Sequence, residues 1–245
     1  MRLSFVRNLG LLVLAVVGLP SRSFAGTIVT VPTGLAPGSQ YRLVFVTADT
    51  YTATSSSITD YNNDVNTEAN AVPALAALGT TWLDIGSTAT VNAIDNIGID
   101  SGVPIYDLEG NLVANDAGTG VGGLIESNPI LSPIMFTELG TYLYTLVWTG
   151  STWEGDTSAG SALGDPGDVI YGVDGLTNDH QWITAGFDSP SDGALNGLYG
   201  ISEVLTVPSA TPEPSTTAMV ILAGALTFFA RRWVHGNRRA TRTLC

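Results

Sequence analysis

An apolar run near each end of the chain confines whatever folds to the stretch between them. Near the amino terminus, Arg2 and Arg7 precede an apolar core over residues 9–19 that Pro20 interrupts. Ser23-Phe24-Ala25 then sets small residues before a cleavage point. This is the pattern of a signal peptide over residues 1–25, cut between Ala25 and Gly26 by signal peptidase once the Sec translocon has taken up the chain. Such a core falls short of the ~20 apolar residues that a spanning helix needs. At the other end, residues 216–230 are apolar, and Arg231-Arg232 follow with a tail carrying Arg238, Arg239, Arg242 and no acid. Alone, that run reaches only about 22 Å against a hydrocarbon core of ~30 Å. Extended to residue 234, with the arginines snorkelling and Trp233 at the interface, it reaches roughly 28 Å. The expectation is a marginal transmembrane helix over 216–234, a basic cytoplasmic tail over 235–245 and a body held outside. The folded unit is then residues 26–207, joined to the membrane by a linker over 208–215.

Pro212-Glu213-Pro214 immediately precedes the apolar run, and Arg231-Arg232 closes it. This order of Pro-Glu-Pro, greasy helix and double arginine resembles the C-terminal sorting signal of the bacterial PEP-CTERM family. The resemblance covers about residues 211–235. It implies an exported protein whose signal is handled by a membrane-embedded exosortase, with delivery to the cell surface or to an exopolysaccharide or biofilm matrix. The other reading of the segment is a permanent single-pass anchor.

The body is strongly acidic. The chain has no lysine, and between residues 26 and 210 a single arginine, Arg42, stands against 21 carboxylates, a formal charge near −20. Nucleic acid and other polyanions need a basic patch, so this composition excludes them as ordinary electrostatic partners. Two readings of the charge stand. One is colloidal, like charge keeping an exported protein soluble; the other is the binding of divalent cations by oxygen ligands. The only cysteine, Cys245, lies in the tail, so no disulfide holds the body. Its length is enough to bury one core without staples.

Residues 28–31 alternate weakly and read as a first strand, and residues 41–47 (YRLVFVT) form the clearest strand. Ser57 and Asp60 read as an N-cap and its acidic partner. Ile58, Tyr61, Val65, Ala69 and Val72 follow at helical spacing, and Pro73 opens a second turn that Gly79 stops. This is the one helical region expected in the body. Residues 81–86 read as a core strand and 88–94 as its continuation or a loop wall. A hairpin is expected around Glu109-Gly110, between 104–108 and 111–114. Residues 142–148, 181–184 and 198–207 read as later strands, and 151–175 as one long polar loop. An early helix with strands afterwards predicts an α+β fold in a single domain.

The order of the strand 41–47, the Ser57 helix, Trp82, the 104–108 hairpin, Val147-Trp148-Thr149-Gly150, Gln181-Trp182-Ile183 and the terminal strand is similar to the C-type-lectin-like fold, in its endostatin-like branch. The resemblance implies a binding domain. That fold usually carries disulfides and, in its sugar-binding branch, Glu-Pro-Asn or Gln-Pro-Asp with Trp-Asn-Asp for calcium; here Ile183-Thr184 follow Trp182, so neither the ion site nor a sugar specificity transfers. A β-sandwich is the alternative architecture.

Candidate chemistry is sparse. His180 is the body's one histidine, and there is no Gly-x-Ser-x-Gly motif, so a hydrolytic nucleophile with its base is not evident. One histidine and no body cysteine exclude a usual zinc site. Asp156, Asp165, Asp168 and Asp174 fall in one Gly-rich loop, which makes them candidate Ca²⁺ ligands although EF-hand spacing is absent. Trp148 and Trp182 are flanked by apolar residues and read as core, whereas Trp153, between Thr152 and Glu154, is the candidate for stacking on a ligand. The expectation is a non-enzymatic exported domain that binds exopolysaccharide or serves as a structural, acidic component of the matrix, with no obligate cofactor; the alternative is a secreted polysaccharide hydrolase.

Overall fold

The computed structural model describes residues 26–119 and 122–209. The expected signal peptide, Pro212-Glu213-Pro214, the expected membrane segment, Arg231-Arg232 and the tail lie outside the described residues. Among the described residues, no helix is long and apolar enough to cross a membrane.

The fold is α+β and strand-rich. Nine strands, three short α-helices and one 3-10 turn occur among the described residues. At the centre lies β1 (Gln40–Val46), buried from Tyr41 to Val46. Its β-branched and aromatic residues suit a strand covered on both faces, where the apolar run is continuous instead of alternating. Tyr41, Leu43 and Phe45 point to one side, against Trp82, Trp148 and Leu75. Val44 and Val46 point to the other, against Val113, Ile125, Ile134 and Trp182. The two-residue period of one strand thus divides the molecule into two cores.

β1 pairs in parallel with β3 (Ile105–Asp107) and antiparallel with β8 (Tyr199–Ser202). β2 (Trp82–Asp84) continues the sheet beyond β8, and β4 (Leu112–Ala114) closes it beyond β3. The β3–β4 hairpin forms where expected. The Asp107 carboxylate accepts Glu109 N (2.9 Å), Asn111 N (2.8 Å) and Asn111 Nδ2 (2.9 Å), so the side chain builds the turn. A second sheet, of three antiparallel strands, runs β5 (Leu146–Trp148), β6 (Val169–Val173) and β7 (Gly186–Asp188).

Helix α1 (Ile58–Ala71) buries Tyr61, Val65 and Ala69, the expected stripe. Its polar residues have a second task. Asn66 Oδ1 accepts Trp82 N and Asn62 Oδ1 accepts Asp84 N, so two asparagines four residues apart satisfy the free edge of β2. An edge closed in this way offers no template to another strand. Ser57 is the N-cap residue but makes no side-chain cap bond. Ser55 Oγ instead accepts Ser57 N and donates to Asp60 Oδ2 (2.6 Å). The turn begun at Pro73 is α2 (Pro73–Ala76), and Gly79 follows at φ +60.

Several expectations need correction. Residues 28–31 are not a strand; they hang on the sheet through Val29 N to Leu108 O and Tyr41 Oη to Thr30 O. A third helix, α3 (Ala93–Ile97), stands where a loop wall or strand was read, and is too short to show a helical period. β6 lies inside the stretch read as one loop. Gly172, which weakens its strand pattern, is required because a Cβ there would overlap Trp182 O. Residues 181–184 form turns instead of a strand. The terminal run divides into β8 and β9 (Leu205–Thr206), both antiparallel to β1 but one residue apart in register. At the break, Ser202 Oγ takes Leu43 N while Ser202 O takes Arg42 Nε (2.6 Å), so side chains replace a ladder bond.

Arg42, the body's lone cation, is 1% exposed. Its Nη1 donates to Ile97 O (2.9 Å) and to Asp100 Oδ2 (3.3 Å). Burial pulls the guanidinium down from its usual value, and Asp100 and Glu203 oppose that. This cation ties α3 to the centre of the sheet.

Candidate functional site

Trp153 sits at the tip of a tight turn. Gly155 N donates to Thr152 O (3.0 Å), Thr152 N donates to Asp156 O (2.9 Å), and Gly155 takes φ +75, which a glycine adopts freely. Gly155 O in turn accepts Ile94 N, which fixes the turn to the start of α3. The indole is 43% exposed, while Trp148 and Trp182 are fully buried. Trp148 Nε1 donates to Tyr51 O, and Trp182 packs on Tyr199 with ring centroids 5.8 Å apart.

The tip meets two other loops. The Trp153 and His180 rings lie 5.0 Å apart at 41°. His180 Nε2 is 3.2 Å from Glu126 O, and a carbonyl can only accept, so this contact places a proton on Nε2. Asn128 Oδ1 accepts Asp179 N (2.8 Å), a second tie between the same loops. Together they enclose a cleft of about 600 Å³, lined by Asn115, Glu126, Asn128, Leu131, Trp153 and His180 among others. Leu131 is 53% exposed there.

Backbone strain gathers at the same place. Among the described residues, the non-glycine positions with positive φ are Glu126 (64°), Asp179 (55°) and His180 (56°). Each such conformation costs of order 1 kcal/mol or more and persists only where the surroundings hold it. Two of the three line the cleft, and the third is bonded to a lining residue.

The sequence pointed to Trp153 alone. Glu126, Asn128 and Leu131 went unremarked, although Asn128-Pro129 is a turn-forming pair. His180, weighed there as a catalyst, appears as the wall that Trp153 leans on.

The candidate calcium ligands behave differently. Among the described residues, no three His, Cys, Asp or Glu side chains form a group able to hold a metal ion, the four loop aspartates included. Asp165 Oδ2 accepts Ala162 N (2.8 Å). Asp174 is buried at the end of β6, where its Oδ1 accepts Thr145 N (2.9 Å), and burial pushes its carboxyl up to about 6. Glu138 is buried too: its Oε2 accepts Ala48 N (3.0 Å), and burial pushes it up to about 7. Asp84, facing α1, is raised by burial first and then by Asp64. None of these three raised acids lines the cleft.

A second, smaller hollow of about 390 Å³ lies beside Pro208, walled by Tyr41, Leu78 and Glu203 among others; it offers no exposed aromatic face. No protein-family model matches this chain and no curated protein is significantly similar to it, so the cleft must be read from its own residues.

Proposed function

We propose that the chain is an exported protein sorted through its Pro212-Glu213-Pro214 signal, with a non-catalytic body that binds exopolysaccharide in the cleft between Trp153 and His180. The body faces away from the cytoplasm, held briefly by residues 216–234 until an exosortase acts, and then joins the cell surface or matrix. The C-type-lectin-like architecture belongs to this proposal; its support is the mixed sheet with an early helix over β2 and a β3–β4 hairpin at the far end. One observation carries the binding reading: an exposed indole held at a fixed angle to a second ring, above strained backbone. Sugars present C–H faces that pack on such rings and hydroxyls that suit amide groups like those of Asn115 and Asn128.

Co-sedimentation of the full chain, in detergent, with exopolysaccharide from its host tests the binding. Saturable binding that Trp153→Ala abolishes supports it; saturable binding untouched by that change places the ligand elsewhere. For sorting, changing Pro212, Glu213 and Pro214 together to alanine should leave an unprocessed, membrane-held form. Normal processing of that variant would sink the exosortase reading.

A further inference from the structure

The binding reading leaves open which class of polysaccharide the cleft takes, and the charge of the molecule narrows it. The body holds 21 carboxylates, and its one cation, Arg42, is buried and already committed to Ile97, Ser202 and Asp100. No arginine or lysine among the described residues can therefore meet a uronate, sulfate or phosphate at the surface. An anionic glycan approaching this body meets repulsion with no compensating contact.

Glu126 is the one acidic residue among those that line the cleft, and it shares that lining with the partly exposed Trp153. An acid and an aromatic ring on one lining suit an ammonium group. The acid supplies a charge-assisted hydrogen bond, and the indole attracts the cation through its quadrupole. Asn115 and Asn128 offer amide donors and acceptors to ring hydroxyls, and Leu131 adds apolar surface. The approach of a polycation is steered by the acidic body as a whole, which raises its local concentration before contact.

We propose that the cleft selects a cationic amino-sugar polymer, one whose hexosamine residues carry free ammonium groups, over neutral and anionic polysaccharides. This rests on the glycan-binding reading above and adds the chemistry of the ligand. Glu126 is the selecting residue and Trp153 the platform.

The test uses the full chain in detergent and three tetrasaccharides: β-1,4-linked glucosamine, its fully N-acetylated counterpart and a uronic-acid oligomer. Binding is followed by tryptophan fluorescence and by calorimetry. The glucosamine tetramer should bind about tenfold more tightly than the N-acetylated one at low salt, with the preference shrinking at 0.5 M NaCl. The uronic-acid oligomer should not bind. Glu126→Gln, which keeps the shape of the side chain, should bring the ratio of the first two affinities close to unity. Trp153→Ala should weaken both. Equal affinities in the unaltered chain, or a ratio that survives Glu126→Gln, would overturn the selectivity while leaving the glycan site in place. A preference for the uronic-acid oligomer would overturn it as well. Failure of all three oligomers to bind would remove the site and the selectivity together.

Discussion

Two regions of this molecule handle charge and backbone in opposite ways. Around Arg42, every group is used inward. The guanidinium is buried, its donors are spent on Ser202 O, Ile97 O and Asp100, and the strands about it keep ordinary backbone angles. Around Trp153, three loops hold an exposed indole, an exposed leucine and an acid, and Glu126, Asp179 and His180 there take positive φ. The first region spends its polar chemistry on joining β1, β8 and α3, and nothing is left over for a ligand. The second keeps surface that burial would have stabilised and accepts strain to keep it. That contrast supports the proposed binding site better than composition does, because an acidic surface alone is only solubilising.

The largest expected effect comes from the inward region. Arg42→Ala removes a buried cation that satisfies two carbonyls, and it opens a cavity at the register break between β8 and β9. A loss of about 3–5 kcal/mol is expected, a large part of a typical stability of ~5–15 kcal/mol. Thermal melts should show a fall of ten degrees or more, or no folded protein. Arg42→Lys keeps the charge but not the fork, so it should fall between. If Arg42→Ala melted within a degree or two of the unaltered chain, the clip would be decoration and the comparison would fail.

Next in size is the effect of pH on buried acids. Glu138 and Asp174 sit higher when folded, about 7 and about 6, than their ordinary 4.5 and 3.8. Between those limits the folded state binds more protons than the unfolded one. Stability is therefore greatest below about pH 4 and falls as pH rises through 6 and 7. Each group accounts for about 2 kcal/mol once solvent screening is allowed for, and repulsion among the remaining carboxylates acts in the same direction. Melting temperature measured from pH 4.5 to 8 should decline. Glu138→Gln should flatten the upper part of that curve, and a curve unchanged by it would mean that Glu138 ionises freely in the fold.

How much of this was legible beforehand follows the range of each interaction. The strand at β1, the stripe of α1 and the β3–β4 turn announce themselves within a few residues, through a β-branched run, a 3.6-residue period and the Glu109-Gly110 pair. β6 did not, because Gly172 breaks its strand pattern for the sake of Trp182 O, in the turns that lead on to β7. The parallel pairing of β1 with β3 is likewise non-local and leaves no mark on either strand. In the cleft, Trp153 could be found as an indole stranded in a polar loop. Glu126 and Asn128 could not, and His180 stands out in the sequence only as the body's lone histidine, since loops more than fifty residues apart in sequence carry them together. The aspartate quartet is close in sequence, which fixes no closeness in space: Asp174 turns inward to hold Thr145 N.

A smaller effect sharpens the other side of the comparison. Trp153→Ala removes a side chain that is 43% exposed and packs on the His180 ring. It should cost under about 1 kcal/mol of stability, as expected for a surface position, while removing glycan binding. A loss of stability as large as that for Arg42→Ala would show Trp153 to be a core residue with an accidental exposed edge.

Smallest of all is the expected response to calcium. A ligand that binds only the folded state raises the melting temperature in proportion to the logarithm of its concentration over its dissociation constant. Ca²⁺ takes six to eight oxygens, and strong sites collect several carboxylates. Here Asp165 is turned to Ala162 N and Asp174 to Thr145 N, and no group of three acids gathers among the described residues. Millimolar Ca²⁺ should therefore move the melting temperature by less than about 1 °C, apart from the general screening that magnesium or added salt would give equally. A shift of several degrees that magnesium does not reproduce would mean that the loop closes around the ion, drawing Asp156 and Asp168 together. The acidic loop would then join the cleft as a second outward-facing site, and the division between an inward and an outward region would need to be redrawn along β6.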